Sequence, residues 1–531
     1  FKCSTALFPP LLRGVRGDLR VSDAVFTPPT PLERGLSDLN FTHRETTFMK
    51  TNMNTNQTQT KITPQDLETD INSRQQKHLK NLITRHTERT KTSKQLAQTY
   101  RPVLTDNKTL VEFSLPLKEM FYPITAKRSL GAKIWDVDGN EYIDLTMGFG
   151  VNLFGHNPPF IKAALAEQLD RGIQLGVQPE FVGEVAELIS ELTGMERVAF
   201  SNTGTEAVMT AIRLARTVTG RSKIALFSGS YHGHFDGTLA KAQTVDGQIQ
   251  TVPITSGILP KFVEDVLILD YGNPRSLEAI AACKQDLAAV LVEPVQSSRL
   301  DLQPQAFLQQ LRQLTQELSI ALIFDEMVTG FRIHPGGAQA WFGVEADIAT
   351  YGKIVGGGMP IGIIAGKAAY MDRIDGGMWN YGDVSVPSVK TTFYAGTFCK
   401  HPLAVAAARA VLKYLKTQGA TLQKQLNQRT SQFIQKLNAY FEAEEIPVRM
   451  VNFGSMFAPA TSGNSTTETE RSPSLGGLDL LYYHLRDRGI LLRGNGGFLS
   501  TAHTEADCDR IIQAVRHSIE ELRAASFLPS K

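Results

Sequence analysis

Apolar and polar positions change period along the chain, and the changes divide it. Residues 1–73 hold no sustained period. They contain Pro9-Pro10, Pro28-Pro29 and Pro31, then a tract over 51–59 rich in Thr, Asn and Gln. Such a stretch buries too little apolar surface to offset its chain entropy, which predicts a linker or disordered extension. From about Ser73 to Tyr100 the pattern is a polar helix with Leu79, Leu82 and Ile83 on one face. That predicts a solvated helical connector over 74–110, with order beginning near Val111. Residues 133–144 alternate around Asp138-Gly139 and predict a hairpin.

Beyond the hairpin, short apolar runs alternate with helical periods. Strands are expected over 198–200, 224–227, 289–292, 321–324 and 361–365, and helices over 206–216 and 305–318. This is the pattern of an α/β doubly wound sheet, whose ligands sit outside the carboxyl ends of the strands. The last hundred-odd residues form a smaller α/β unit. There Thr504 is the expected N-cap with Asp507 in its capping box, and Ile511, Ile512, Val515, Ile519 and Leu522 share one helix face. The polar segment 462–474 is expected to be a surface loop.

Composition narrows the function classes. The 531 residues carry 55 Lys plus Arg against 53 Asp plus Glu, so no basic footprint for nucleic acid is present. Cys3, Cys283, Cys399 and Cys508 lie far apart, which argues against a disulfide framework or zinc site and favours a reducing cytoplasm. No run of 18 apolar residues occurs, so no membrane span is expected. The chain starts at Phe1, as expected of a piece excised from something longer or of foreign residues at its start.

Candidate chemistry gathers after the predicted strands. Residues 201–207, Ser-Asn-Thr-Gly-Thr-Glu-Ala, follow a strand and open a helix, a natural anion site in which Gly204 and Thr205 would touch a phosphate. The plain alternative is an ordinary capped helix start. Asp325 ends a buried strand, where an acid needs a partner; a protonated pyridine nitrogen would serve, and so would a structural pair with Arg332 or an N-cap role. Lys353 stands before Gly356-Gly357-Gly358 between apolar segments, as a buried amine that forms a Schiff base would, although lone lysines are usually at the surface. Tyr231 can stack on an aromatic ligand. His232 and His234 have no third ligand at suitable spacing, so no metal is expected. Thr397 can make a second phosphate contact or a plain turn.

Together these residues resemble the class III aminotransferases, a branch of the fold-type I pyridoxal-phosphate (PLP) enzymes, and within them glutamate-1-semialdehyde aminomutase. The matching segments are 201–216, 230–234, 293–295, 324–332, 352–360 and 396–398, within a similarity over about 125–523. The resemblance implies a large, mostly parallel-sheet PLP-binding domain over 161–415. A small domain is built from 111–160 and 416–531. It makes Lys353 the Schiff-base lysine and proton carrier, Asp325 the partner of the pyridine nitrogen, Tyr231 and Met327 the groups on the two ring faces, and His232 a further cofactor contact. Gly204, Thr205 and a neighbouring subunit's counterpart of Thr397 would bind phosphate, which implies a homodimer with shared sites cycling through pyridoxamine phosphate.

Tyr122, Thr125 and Phe149 are the expected substrate residues. Thr125 aligns where the aminomutases carry an arginine for the substrate carboxylate, and Gln296-Ser297-Ser298 lacks the glutamate of the ornithine-type enzymes. Residues 93–104 and 147–156 are similar to aminotransferase domains of hybrid polyketide/nonribosomal-peptide synthetases. That similarity implies flanking synthetase domains and amination of a β-ketoacyl thioester on an acyl carrier protein. The amine donor would be glutamate or glutamine. The alternatives are an aminomutase or a non-catalytic spacer.

Overall fold

A computed structural model describes residues 72–106, 113–245, 248–460, 477–492 and 496–529. The linker expected over 1–73 (save its last two residues), the start of order at Val111 and the loop over 462–474 lie outside the described residues.

Seven strands form the central sheet: β1 (Arg197–Ser201), β2 (Lys223–Phe227), β3 (Val266–Leu269), β4 (Leu287–Val292), β5 (Ala321–Asp325), β6 (Ile348–Gly352) and β7 (Gly362–Gly366). Their order across the sheet is β1-β7-β6-β5-β4-β2-β3. β7 runs antiparallel to both neighbours, β6 and β1, and the other neighbouring strands of the sheet pair in parallel. β4 through β7 are buried along their whole length, which explains their unbroken runs of Val, Ile, Leu and Ala. The helix Gly204–Thr219 covers one face with Ala207, Val208, Ala211 and Ile212. Sequence periodicity found five strands and missed β3 and β6. β6 reads Ile-Ala-Thr-Tyr-Gly, and its Thr350 and Gly352 face the site, which breaks the apolar run.

The hairpin forms from Lys133–Asp136 and Glu141–Asp144. Asp136 Oδ1 accepts from the backbone N–H of Asp138 and Asn140, at 3.0 and 2.8 Å, and Gly139 takes φ +88°. Ile490–Leu491 joins this sheet in parallel, so segments from both ends of the described chain share it. The C-terminal helix Glu505–Ala524 starts on the Thr504–Asp507 capping box and buries Ile511, Ile512, Val515, Ile519 and Leu522.

The polar N-terminal segment is two helices, Ser73–Arg89 and Lys91–Tyr100, broken at Thr90. The first is docked, not solvated: Leu79 and Leu82 are buried with Leu117, Met120, Leu480 and Leu522. Burying one such leucine is worth about 1.5–3 kcal/mol, which the polar average of the helix hides. Asp138 holds the second helix by accepting from Thr92 N at 2.6 Å and Ser93 N at 3.0 Å.

Candidate active site

The carboxyl ends of the strands converge on one edge. β1 ends at Ser201, β5 at Asp325 and β6 at Gly352, and β7 begins there at Gly362. Register fixes the depth: Asp325 pairs with Thr350, Gly352 with Gly362, and Gly362 with Ser201. The close approach requires glycine at Gly362, where a Cβ would overlap Thr203 O and Ser201 Oγ.

Asp325 is buried and fully engaged. Its Oδ2 lies 2.8 Å from His232 Nδ1, and its Oδ1 accepts from Met327 N at 3.1 Å and Thr350 Oγ1 at 3.2 Å. Arg332 is not its partner: that guanidinium donates to Val328 O, Ser455 Oγ and Gly150 O. The structural ion pair open to Asp325 from the sequence is therefore absent. Glu326 turns the other way, accepting from Ala338 N, Gln339 N and Thr329 Oγ1, and burial pushes its carboxyl up to about 7.

Lys353 directly follows β6 with φ +45°, a left-handed backbone that costs a non-glycine residue energy and marks functional sites. Burial holds its amine below the usual lysine range; Asp325 and Glu293 pull it back up and Arg332 pushes it further down. Burial so eases loss of the proton and favours the neutral amine, the form that attacks carbonyls.

The loop after β2 carries Tyr231 and His232. Glu293, at the end of β4, accepts from Tyr231 N at 2.9 Å and Ser297 N at 3.2 Å, and burial raises its carboxyl. Gln296 Nε2 donates to Ser228 O and Ser298 Oγ to Gly229 O, which ties the two loops together. His234 N then donates to Thr205 Oγ1 at 3.3 Å, bringing the loop to the head of the Gly204–Thr219 helix. Thr203 caps that helix through Glu206 N, and the N–H groups of Gly204 and Thr205 stand at its positive end. Met327 Sδ would lie 2.9 Å from a Cβ on Gly204 and 2.7 Å from one on Gly352, so it sits between phosphate-type cradle and lysine.

The structure thus brings together Lys353, Asp325, His232, Tyr231, Met327, Gly204 and Thr205. Thr397 lies in an exposed turn. Tyr122 and Thr125 are bound to the N-terminal helices, Tyr122 Oη 2.6 Å from Thr90 Oγ1 and Thr125 N donating to Ser93 Oγ. Phe149 is 53% exposed in a turn whose residues Met147, Gly148, Phe149 and Gly150 all have positive φ. Thr350 and Glu293 were not singled out from sequence as site residues. Glu293 carried the same signal as Asp325, an acid at the end of a buried strand.

These residues fit PLP. His232 Nε2 is buried without a hydrogen-bond partner, Tyr231 is 63% exposed beside the cluster, and the helix head offers free-facing N–H groups to a phosphate. Fold, buried lysine, acid and anion cradle define a PLP-dependent transferase of fold type I. A family-wide profile, aminotransferase class-III, matches residues 116–516. The chain belongs to the class III aminotransferases.

Among its relatives, the glutamate-1-semialdehyde 2,1-aminomutase of Chloroflexus aggregans is 35% identical over 413 residues, 75% of this chain and 91% of the relative. An omega-transaminase from Sphaerobacter thermophilus superposes with TM-score 0.71 at 30% identity, covering 81% of this chain and 98% of that one. A β-phenylalanine aminotransferase from Variovorax paradoxus gives 0.70 at 28%, covering 84% and 97%. The synthetase-type acceptor expected from the sequence finds no support among these relatives, and the aminomutase alternative does. No helix among the described residues is long and apolar enough to cross a membrane.

Proposed function

We propose that the protein moves an amino group within one small amino-carbonyl molecule, as an aminomutase of the glutamate-1-semialdehyde kind. The observation that carries the reading is 35% identity to aminomutases over three-quarters of the chain, on top of the Lys353–Asp325–His232 cluster.

PLP, when bound, supplies an electron sink for the pair left by a departing substrate proton. Lys353 Nζ would hold the cofactor, and its amine would take the proton from the amine-bearing carbon and return it elsewhere, as base and then acid. Its lowered basicity suits both tasks. His232 Nδ1, Thr350 Oγ1 and Met327 N fix the Asp325 carboxylate, which would hold the pyridine proton. Tyr231 and Met327 would flank the cofactor, and Gly204 and Thr205 would hold its phosphate. Glu293 positions Tyr231 through its backbone.

A second copy completes the site through Thr397. Met378, Tyr381, Val384, Val386, Phe393 and Phe398 are exposed along the same stretch, more apolar surface than a lone chain normally leaves to water.

A second reading rests on the sequence resemblance alone. By that resemblance Thr125 aligns where the aminomutases carry an arginine, which a neutral thioester on a carrier protein would not need. That reading requires an amine donor such as glutamate or glutamine. The two separate cleanly: the pyridoxamine-phosphate form is given glutamate-1-semialdehyde with no donor. Repeated turnover, with the amine moved from carbon 2 to carbon 1, supports the mutase. Turnover that appears only with a donor and a β-ketoacyl acceptor refutes it.

A further inference from the structure

β2 and β4 are parallel neighbours, with Ile224 opposite Ala289 and Ala225 opposite Val290. The loops that leave their carboxyl ends, 228–234 and 293–298, therefore stand side by side at the edge where ligands of such sheets bind. Side chains of the second loop hold backbone groups of the first. Gln296 Nε2 donates to Ser228 O at 2.9 Å, Ser298 Oγ donates to Gly229 O at 2.7 Å, and Glu293 Oε2 accepts from Tyr231 N at 2.9 Å. A Cβ on Gly229, whose φ is +79°, would lie 3.6 Å from Ser298 Oγ and 3.8 Å from Gln296 Oε1, so these side chains pack directly on the turn. On the other side of Tyr231, His232 Nδ1 lies 2.8 Å from Asp325 Oδ2.

Gln296 is wholly buried, and its Oε1 has no hydrogen-bond partner. A buried amide that leaves its oxygen unpaired is costly, so the bond made by its nitrogen is what the residue contributes. Tyr231 shows what that bond serves. It is 63% exposed, so little protein packs on its ring and the backbone has to set where the ring stands. Aromatic groups gain from one another only at particular spacings and offsets. A backbone fixed in advance spares the ligand the cost of ordering it.

We propose that Gln296 and Ser298 are positioning residues of this site, a clasp that fixes the turn over 228–231 and so sets the Tyr231 ring against the cofactor before it binds. The inference rests on the reading in which Tyr231 flanks PLP. Neither residue is assigned a bond to cofactor or substrate; both act through the turn.

The test measures PLP affinity of the full chain by fluorescence titration for wild type, Gln296→Met and Ser298→Ala, each also in a Tyr231→Ala background. Methionine keeps the bulk at 296 and removes the donor. Each substitution should weaken PLP binding about fivefold with Tyr231 present and change it less than about twofold in Tyr231→Ala, because a group that acts only through a second one has no effect once the second is gone. The induced circular dichroism of the bound cofactor should change in Gln296→Met and Ser298→Ala, while Ser298→Thr, which keeps the hydroxyl, should match wild type in both readouts. Equal losses in the two backgrounds would make the clasp an ordinary loop contact and overturn the proposal. Unchanged affinity in both backgrounds would overturn it too. Ser298 is exposed, so its alanine and threonine variants decide the matter even if Gln296→Met does not fold. A wild type that binds no PLP overturns the cofactor reading as well, which neither of the other results touches.

Discussion

Lowering the pH should loosen the N-terminal helix Ser73–Arg89 from the C-terminal helices. His78 and His484 face each other with Nε2 atoms 3.1 Å apart and ring centres 5.1 Å apart. The nitrogens therefore point at one another and share one proton, which needs one neutral donor and one neutral acceptor. Around them lie Glu521, Arg488 and Arg85, with Phe527 against His78. His484 is wholly buried, and burial holds it down to about 4 against a usual 6.5.

A histidine held neutral in the fold but protonated when released contributes stability that is full above about 6.5. That contribution drains as pH falls toward about 4. The gap corresponds to about 3 kcal/mol once both values are passed. Glu521 is depressed, so its own contribution begins to drain only near its ordinary value of about 4.5, at the low end of this window. Amide exchange of residues 73–89 at pH 7.5, 6, 5 and 4.5 measures the opening energy directly. It should fall over this window in wild type and fall less in His484→Gln. His78 and His86, both lowered by burial, keep part of the slope. Identical pH profiles in the two proteins would refute the reasoning.

Three further outcomes are expected. Leu82→Ala removes a fully buried side chain from the small N-terminal cluster and should cost about 2–5 kcal/mol in docking of that helix, read by the same exchange experiment. Asp325→Asn keeps the shape but loses the charge that holds the pyridine proton. Turnover should fall by at least about a hundredfold with PLP still bound, checked by spectrum and kinetics together. Gly204→Ala places a Cβ 2.9 Å from Met327 Sδ at the helix head, so PLP affinity should weaken measurably by fluorescence titration while the fold is kept.

The sequence displayed the site better than the scaffold. Lys353, Asp325, Gly204-Thr205 and Tyr231 each stand at or just beyond a strand end, and their chemistry shows in residue type and order. What it hid depends on long-range packing. The Arg332–Gly150–Ser455 clamp joins residues 182 and 123 positions apart, which no local period records. The Asp325–His232 bond spans 93 positions. The N-terminal helix looked like a solvated connector because only Leu79 and Leu82 of its apolar face are buried, beside a buried His86 that composition counts as polar. β6 was missed because a threonine and a glycine that serve the site interrupt its apolar run. Tyr122 and Thr125 were assigned to substrate by alignment, while their hydrogen bonds run to Thr90 and Ser93.

The most direct test of the account is borohydride reduction of the PLP-loaded protein, followed by peptide mapping. Reduction fixes the cofactor on whichever amine holds it. One pyridoxyl group is expected, on Lys353, and no labelling in Lys353→Ala. A label on another lysine, or none in a protein reconstituted with PLP, would contradict it.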